Sequence, residues 1–190
     1  MYQLKISIDK ITPPIWRTIQ VPESFTFNQL HHIIQIAFGW TNSHLYKFGV
    51  WEHKIGDPIL WGDGEIIWDK KIKVKDVLSK VGEKFPYEYD MGDSWKHTIV
   101  LKKIAVGGSK TPRCLNGARS APPEDCGGVP GYQELIHHLK HPEKDGYIEL
   151  LEWLGDDYDP ERFDLAVVNR ELKGLAEYIR EFDEENGLNT

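Results

Sequence analysis

The chain has few cysteines. Cys114 and Cys126 are the only two among its 190 residues, and they lie twelve positions apart rather than in a Cys-x-x-Cys pair. A short disulfide-rich fold is therefore excluded, and we expect free thiols, with a disulfide between the two left open by the spacing.

A long apolar stretch is also lacking. The sequence contains no run of about 18 or more apolar residues, and polar and apolar residues alternate over residues 1–6. We expect neither a transmembrane helix nor a signal peptide, and hence a cytoplasmic protein without a membrane partner.

Excess positive charge is missing as well. The net charge is −7, and residues 141–190 alone carry 15 acidic and 5 basic residues, so the first 140 residues have a net charge of +3. Binding to nucleic acid relies on lysine and arginine to neutralise phosphates, so the charge does not favour a nucleic-acid partner.

The first elements are marked by clear local signals. Alternating apolar residues predict strands over residues 2–9 and 15–21. Thr26 and Gln29 have the spacing of a capping box, and Gly39 supplies a left-handed stop, so a helix is expected between them.

Further elements follow the same reasoning. Strands are predicted around glycine-rich turns at 56–58 and 62–64, a short helix comes next, and a hairpin and acidic helices complete the chain. The predicted ranges are strands 46–51, 65–68, 85–90 and 95–104, and helices 74–81, 132–140, 147–154 and 160–183, the last with a break near Asn169.

This order predicts an α+β fold in one domain. We expect a β-grasp-like mixed sheet with one long helix in residues 1–106, a Pro/Gly/Cys loop in 107–131 and an acidic helical tail in 132–190.

Two segments contain residues suited to chemistry. In the run from Tyr89 to His97, Asp90, Asp93 and His97 would form a metal or general acid/base site if the turn pointed the carboxylates at the histidine. The competing interpretation is that Asp90 and Asp93 only build a hairpin turn. His97 alternates with Trp95 and Ile99 on one face of its strand, which is also typical of a core histidine.

The second segment is the loop from Cys114 to Tyr132, which combines prolines, glycines and acids. Its glycines permit tight backbone passage, and they could also free amides to hold an anion with help from arginine. The candidate ligand-binding residues are Tyr89, Trp95, Arg113, Arg119, Glu124, Asp125, Gly127 and Gly128.

A zinc site is the alternative for the thiols. Cys114 and Cys126 with His97 or Asp125 would provide thiolate, imidazole and carboxylate ligands. The short Cys-x2-4-Cys pairs of structural zinc loops are absent, so packing thiols are favoured and no cofactor is predicted. Glu124 and Asp125 flank Cys126 and should raise its pKa, which disfavours a nucleophilic role.

The motifs together carry a family resemblance. They are the opening Ile-x-Pro-Pro-Ile-Trp-Arg, Tyr-Asp-x-Gly-Asp-x-Trp-x-His at 89–97, Pro-Pro-Glu-Asp-Cys-Gly-Gly at 122–128, Phe163-Asp164 and Asn169-x-x-Leu172. The chain resembles the plasmid pRiA ORF-3-like family over nearly its whole length. The resemblance implies a largely uncharacterised protein of plasmids, mobile elements and prokaryotic chromosomes. Some members are described as resolvases, but a serine recombinase needs clustered arginines around its nucleophilic serine. This sequence has no such cluster, so the description is discounted.

Two functions remain open from the sequence. The first is a non-catalytic binding or interaction module, with a protein or a small anionic ligand as its partner. The second is a metal-assisted hydrolase or nuclease-like enzyme that uses Asp90, Asp93 and His97.

Overall fold

The computed structural model describes residues 1–62, 65–155 and 158–188, in which seven helices and eight strands are found. The strands are β1 (Tyr2–Ile8), β2 (Trp16–Val21), β3 (Tyr46–Val50), β4 (His53–Gly56), β5 (Ile67–Trp68), β6 (Lys84–Tyr89), β7 (Trp95–Ile104) and β8 (Arg113–Ala118). The helices are α1 (Phe27–Phe38), α2 (Pro58–Trp61), α3 (Val74–Val77), α4 (Gly128–Leu139), α5 (Tyr147–Leu154), α6 (Leu165–Lys173) and α7 (Leu175–Glu185). Within these ranges no helix is long and apolar enough to cross a membrane.

All eight strands form one open sheet in the order β5-β4-β3-β6-β7-β1-β2-β8. The β1–β2 hairpin pairs Leu4 with Ile19, and β7 adds Ile99 opposite Ile6. These four side chains are fully buried because every second residue of each strand points at the core. The two opening strands are confirmed.

Helix α1 covers the sheet. The Thr26 side chain accepts a hydrogen bond from the Gln29 amide, the Gln29 side chain accepts one from the Thr26 amide, and Gly39 ends the helix with a φ of 76°. The predicted capping box and stop are confirmed. Leu30, Ile33 and Ile34 are fully buried in the main core, which stabilises the helix by roughly 1.5–3 kcal/mol for each side chain.

Arg17 connects three elements beneath the helix. Its buried guanidinium donates hydrogen bonds to the carbonyl oxygens of Ala37 (2.8 Å) and Ala118 (2.9 Å) and lies between the rings of Phe38 and Phe163. The arginine of the opening motif is therefore a structural residue that joins α1 to β2 and β8.

The mixed α and β architecture is confirmed, whereas the narrower β-grasp-like description stays a prediction. Strand β4 was missed, and β5 pairs with it in parallel. Of the two glycine-rich turns, residues 63 and 64 lie outside the described ranges.

The predicted loop at 107–131 contains an additional strand. β8 pairs antiparallel with β2, and Ile19 lies opposite Cys114. Gly117 weakens the local strand signal in this segment. Packing accounts for the glycine, because a Cβ at this position would lie 2.6 Å from the Phe163 ring.

The last predicted helix is two helices with different ends. The first of them, α6, starts at Leu165 rather than at residue 160, because Asp164 caps it by accepting from the Ala166 amide at 2.9 Å and the Val167 amide at 3.0 Å. The break falls at Gly174 rather than near Asn169. Asn169 instead continues the helix and binds β8.

Candidate functional site

The turn between β6 and β7 positions the first acid of the site. Asp90 has a φ of 58° and Ser94 one of 55°, and the Ser94 amide donates to the Asp90 carbonyl oxygen at 2.7 Å. Asp90 Oδ1 also accepts from the Gly92 amide at 2.8 Å. These hydrogen bonds are those expected if Asp90 helps to build the hairpin turn. They also fix the position of the Asp90 carboxylate, which is almost fully buried.

A histidine that the sequence analysis did not consider meets this carboxylate. The Asp90 amide donates to the Leu45 carbonyl oxygen at 2.9 Å, which holds the turn against the residue before β3. His44 Nδ1 then lies 3.8 Å from Asp90 Oδ1, and His44 Nε2 lies 3.3 Å from Asp125 Oδ1. One ligand atom from each of the three residues lies within 4.8 Å of the other two.

Exposure within this His44 cluster, the set of His44, Asp90 and Asp125, is graded. The side chain of Asp90 is 8% exposed, that of His44 26% and that of Asp125 74%. His44 Nε2 is buried and makes no hydrogen bond of good geometry. One carboxylate is therefore held rigidly, whereas the other stands at the surface and is free to adjust.

The acidic loop is tied to the end of the sheet beside this cluster. Glu124 accepts hydrogen bonds from the hydroxyls of Tyr89 and Thr41. Asp93 accepts one from the Gly127 amide at 3.1 Å. Tyr89, Asp93, Glu124 and Gly127, all candidates from the sequence, thus come together, but their polar groups bind one another and orient the loop.

The loop glycines have a steric role. Gly127 and Gly128 have φ values of 88° and 67°, and a Cβ on Gly128 would lie 2.5 Å from the Asp93 carbonyl oxygen. At Gly131 a Cβ would lie 1.8 Å from the Cys126 carbonyl oxygen. Close packing of α4 on the β6–β7 turn accounts for these glycines without an anion.

His97 does not join the acids, so the predicted catalytic set of Asp90, Asp93 and His97 is not assembled. His97 is fully buried, and its Nδ1 donates to the Trp95 carbonyl oxygen at 2.9 Å. Burial lowers the pKa of this histidine to about 3, because the charged imidazolium is poorly solvated there. Trp95 is also fully buried, which leaves it no access to a ligand.

Neither cysteine belongs to the His44 cluster, although Cys126 directly follows Asp125. Both are free thiols, and burial raises the pKa of Cys114 to about 11. Burial, followed by the charge of Asp93, raises the pKa of Cys126 to about 12. Among the described residues, the group with metal-ligand spacing includes neither cysteine and does not include His97.

The two candidate arginines, Arg113 and Arg119, lie in different parts of the structure. Arg119 is buried and donates to the Pro13 carbonyl oxygen at 2.9 Å and to Glu161 at 2.6 Å. Arg113 is exposed at the start of β8, opposite Gln20. The structure does not bring them together at the glycines.

The family resemblance is confirmed by comparison with known proteins. The family model described as plasmid pRiA4b ORF-3-like protein matches residues 1–167. "Uncharacterized protein y4hQ" of Sinorhizobium fredii is 36% identical over 178 residues, which cover 92% of this chain and 91% of that protein.

A solved structure is also similar. The crystal structure of MM3350 from Methanosarcina mazei Go1, described as a protein of unknown function, has 40% sequence identity and a TM-score of 0.77. The match covers 86% of this chain and 94% of that one. Neither description assigns a biochemical activity. On the extent of the family match, the chain belongs to the plasmid pRiA4b ORF-3-like protein family.

Proposed function

We propose that the protein is a binding module that holds a divalent cation at the His44 cluster. The observation that carries this proposal is the approach of one imidazole nitrogen and two carboxylate oxygens to within 4.8 Å of one another. Metal–ligand bonds are about 2.0–2.2 Å long, so the ligand atoms of one ion lie within about 4.4 Å of one another, and the three groups have to approach only slightly to hold an ion.

The charge and the type of the ligands support a first-row transition metal. Two carboxylates balance the charge of a divalent ion, and imidazole favours zinc, iron or nickel over calcium or magnesium. Asp90 is already oriented by the Gly92 amide, as ligands of metal sites commonly are by neighbouring hydrogen bonds.

Metal content tests this proposal directly. Protein purified without an affinity tag or chelator is analysed by inductively coupled plasma mass spectrometry, and Zn²⁺ and Mn²⁺ are titrated calorimetrically. We expect one bound ion per chain, with affinity reduced about tenfold or more in His44→Ala and in Asp90→Asn.

Two control variants make the test specific. His53→Ala removes another exposed histidine, from β4, and should keep the ion. The double variant His137→Ala, His141→Ala removes two surface rings whose centroids are 4.5 Å apart, which form a rival site. Loss of the ion in this double variant, with retention in His44→Ala, would contradict the proposal.

Metal-assisted hydrolysis is the second candidate, and it replaces His97 of the predicted catalytic set with His44. Three protein ligands leave coordination positions for water, and the exposure of Asp125 gives a substrate access to them. Hydrolysis of bis(p-nitrophenyl) phosphate by the zinc- or manganese-loaded protein, lost in Asp90→Asn, would favour the enzyme. If the metal-loaded protein shows no activity above that of the free metal, the hydrolase is rejected and the binding module is retained.

A further inference from the structure

A cavity lies beside the edge strand β8, and none of its lining residues belongs to the His44 cluster. Its volume is about 680 Å³, within the range of small-molecule sites. Its polar lining comes from β2, the β7–β8 connection, β8 and α6, and it includes Gln20, Ser109, Thr111, Arg113 and Lys173. We call this cavity the basic pocket.

The charge of the basic pocket is opposite to that of the chain. Its two charged side chains, Arg113 and Lys173, are cations, and no carboxylate lines it. Among the ion pairs of the described residues, neither cation has a partner. In a chain of net charge −7 with an acidic C-terminal third, this local excess of positive charge requires an explanation.

The elements that carry the two cations are joined by hydrogen bonds. The Cys114 amide donates to Asn169 Oδ1 and Asn169 Nδ2 donates to the Cys114 carbonyl oxygen, both at 2.9 Å. Arg113 precedes Cys114, and Lys173 follows Asn169 by four residues on the same helix face. This reciprocal pair of hydrogen bonds therefore ties α6 to β8, and both cations line the cavity between these elements.

The connection before β8 adds uncharged donors. Gly107 and Gly108 have φ values of 73° and 125°, and the Thr111 amide donates to Ser109 Oγ at 3.0 Å. The Thr111 hydroxyl makes no hydrogen bond to the described part of the chain. A guanidinium, an ammonium and a hydroxyl around one space are the donors that bind phosphate oxygens.

We propose that the basic pocket binds the phosphate group of a phosphorylated small molecule. Two cations match a doubly charged anion, and the volume leaves room for an organic portion beyond the phosphate. This inference does not depend on the cation site, because the residues of the two sites are different.

Calorimetric titration in the presence of EDTA tests the pocket while keeping metals out of the His44 cluster. The probes are pyrophosphate and ribose 5-phosphate, with ribose as the uncharged control and constant ionic strength. We expect saturable binding of at least one phosphate compound and none of ribose, with affinity about tenfold weaker in Arg113→Ala and in Lys173→Ala.

The matched control is Lys54→Ala, which removes an exposed cation from β4, near the opposite end of the sheet. It should bind the probes as the unmodified protein does. Circular dichroism shows whether each variant is folded. If Arg113→Ala is unfolded, the conservative variant Arg113→Lys is used in its place. The inference is overturned if no probe saturates below roughly 10 mM, or if Lys54→Ala weakens binding as much as Arg113→Ala.

Discussion

Two regions of the molecule use the same kinds of side chain in opposite ways. The interior network consists of His31, Asn42, Tyr46, Asp69 and Tyr87, and it is buried between α1 and the sheet. The His44 cluster is also built from imidazole and carboxylate, but it lies at the surface.

Hydrogen bonding separates the two regions. Gln35 donates to the Tyr87 hydroxyl at 3.0 Å, so that hydroxyl donates to His31 Nδ1 at 2.9 Å, and His31 Nε2 donates to Asn42 Oδ1 at 2.6 Å. His31 is thus neutral and fully satisfied. Imidazole and carboxylate groups have a structural role in the interior network, because the protein itself provides their hydrogen-bond partners. In the His44 cluster, a bound ligand would have to provide the missing partners.

The electrostatic consequences follow from burial. Desolvation holds the pKa of His31 well below its usual range and raises that of Asp69 to about 6. Both shifts favour the neutral form, because charge is poorly solvated in the interior.

The largest contrast is expected between two histidine variants. His31→Ala removes a ring stacked on Tyr46 at 3.3 Å and leaves buried partners unpaired, so the free energy of unfolding should fall by about 3–5 kcal/mol. His44→Ala should lower the free energy of unfolding of the metal-free protein by only about 1 kcal/mol, and it should abolish the additional stabilisation by a bound cation. Urea unfolding of both variants measures these changes. Equal decreases in the free energy of unfolding would contradict the difference between the interior network and the His44 cluster.

A pH-dependent contribution is expected from Asp69. Its pKa is about 6 in the folded state against an ordinary 3.8, so its contribution to stability is fully present below about pH 4 and is lost as the pH rises through 6. The loss should amount to about 2–3 kcal/mol. Asp69→Asn should remove this part of the profile in unfolding experiments from pH 4 to 8, and an unchanged profile would show that Asp69 ionises normally.

A smaller effect is expected from a single hydroxyl. Tyr87→Phe keeps the packed ring but leaves His31 Nδ1 and the Gln35 side chain without their shared partner, at a cost of about 1–2 kcal/mol. Thermal unfolding measures it. Tyr147→Phe, in a half-buried tyrosine whose hydroxyl has no hydrogen bond to the described residues, is the control.

The smallest change in stability is expected at the surface loop. Asp93→Ala removes the hydrogen bond to the Gly127 amide and should cost about 0.5–1 kcal/mol. Because that bond positions the loop bearing Asp125, metal titration of the variant should show weaker binding. Unchanged affinity would mean that Asp93 does not orient the site.

The sequence predicted elements whose signals are local. The capping box, the alternation in β1 and the β6–β7 hairpin, which runs from Lys84 to Ile104, each depend on residues close together in sequence, and all are found. Strand β8 was missed because its residues become a strand only by pairing with β2, about a hundred positions earlier.

The His44 cluster was predicted only in part, because it too depends on pairing between segments far apart in sequence. Asp90 and Asp125 stand in conspicuous motifs, whereas His44 stands alone and reaches them through pairing of β3 with β6, where Tyr46 lies opposite Tyr89. A histidine just before a predicted strand was the available signal. His97 was misplaced in the site because its strand face is the core face.

The sequence alone determined the family, the mixed α and β composition and the boundaries of the capped helix, because these depend on motifs and on neighbours along the chain. Tertiary structure decided which histidine meets the acids and which polar groups are buried. It also brought Arg113 and Lys173 to the lining of one cavity. Those outcomes depend on strand order and on side-chain packing between segments far apart in sequence, which no local pattern encodes.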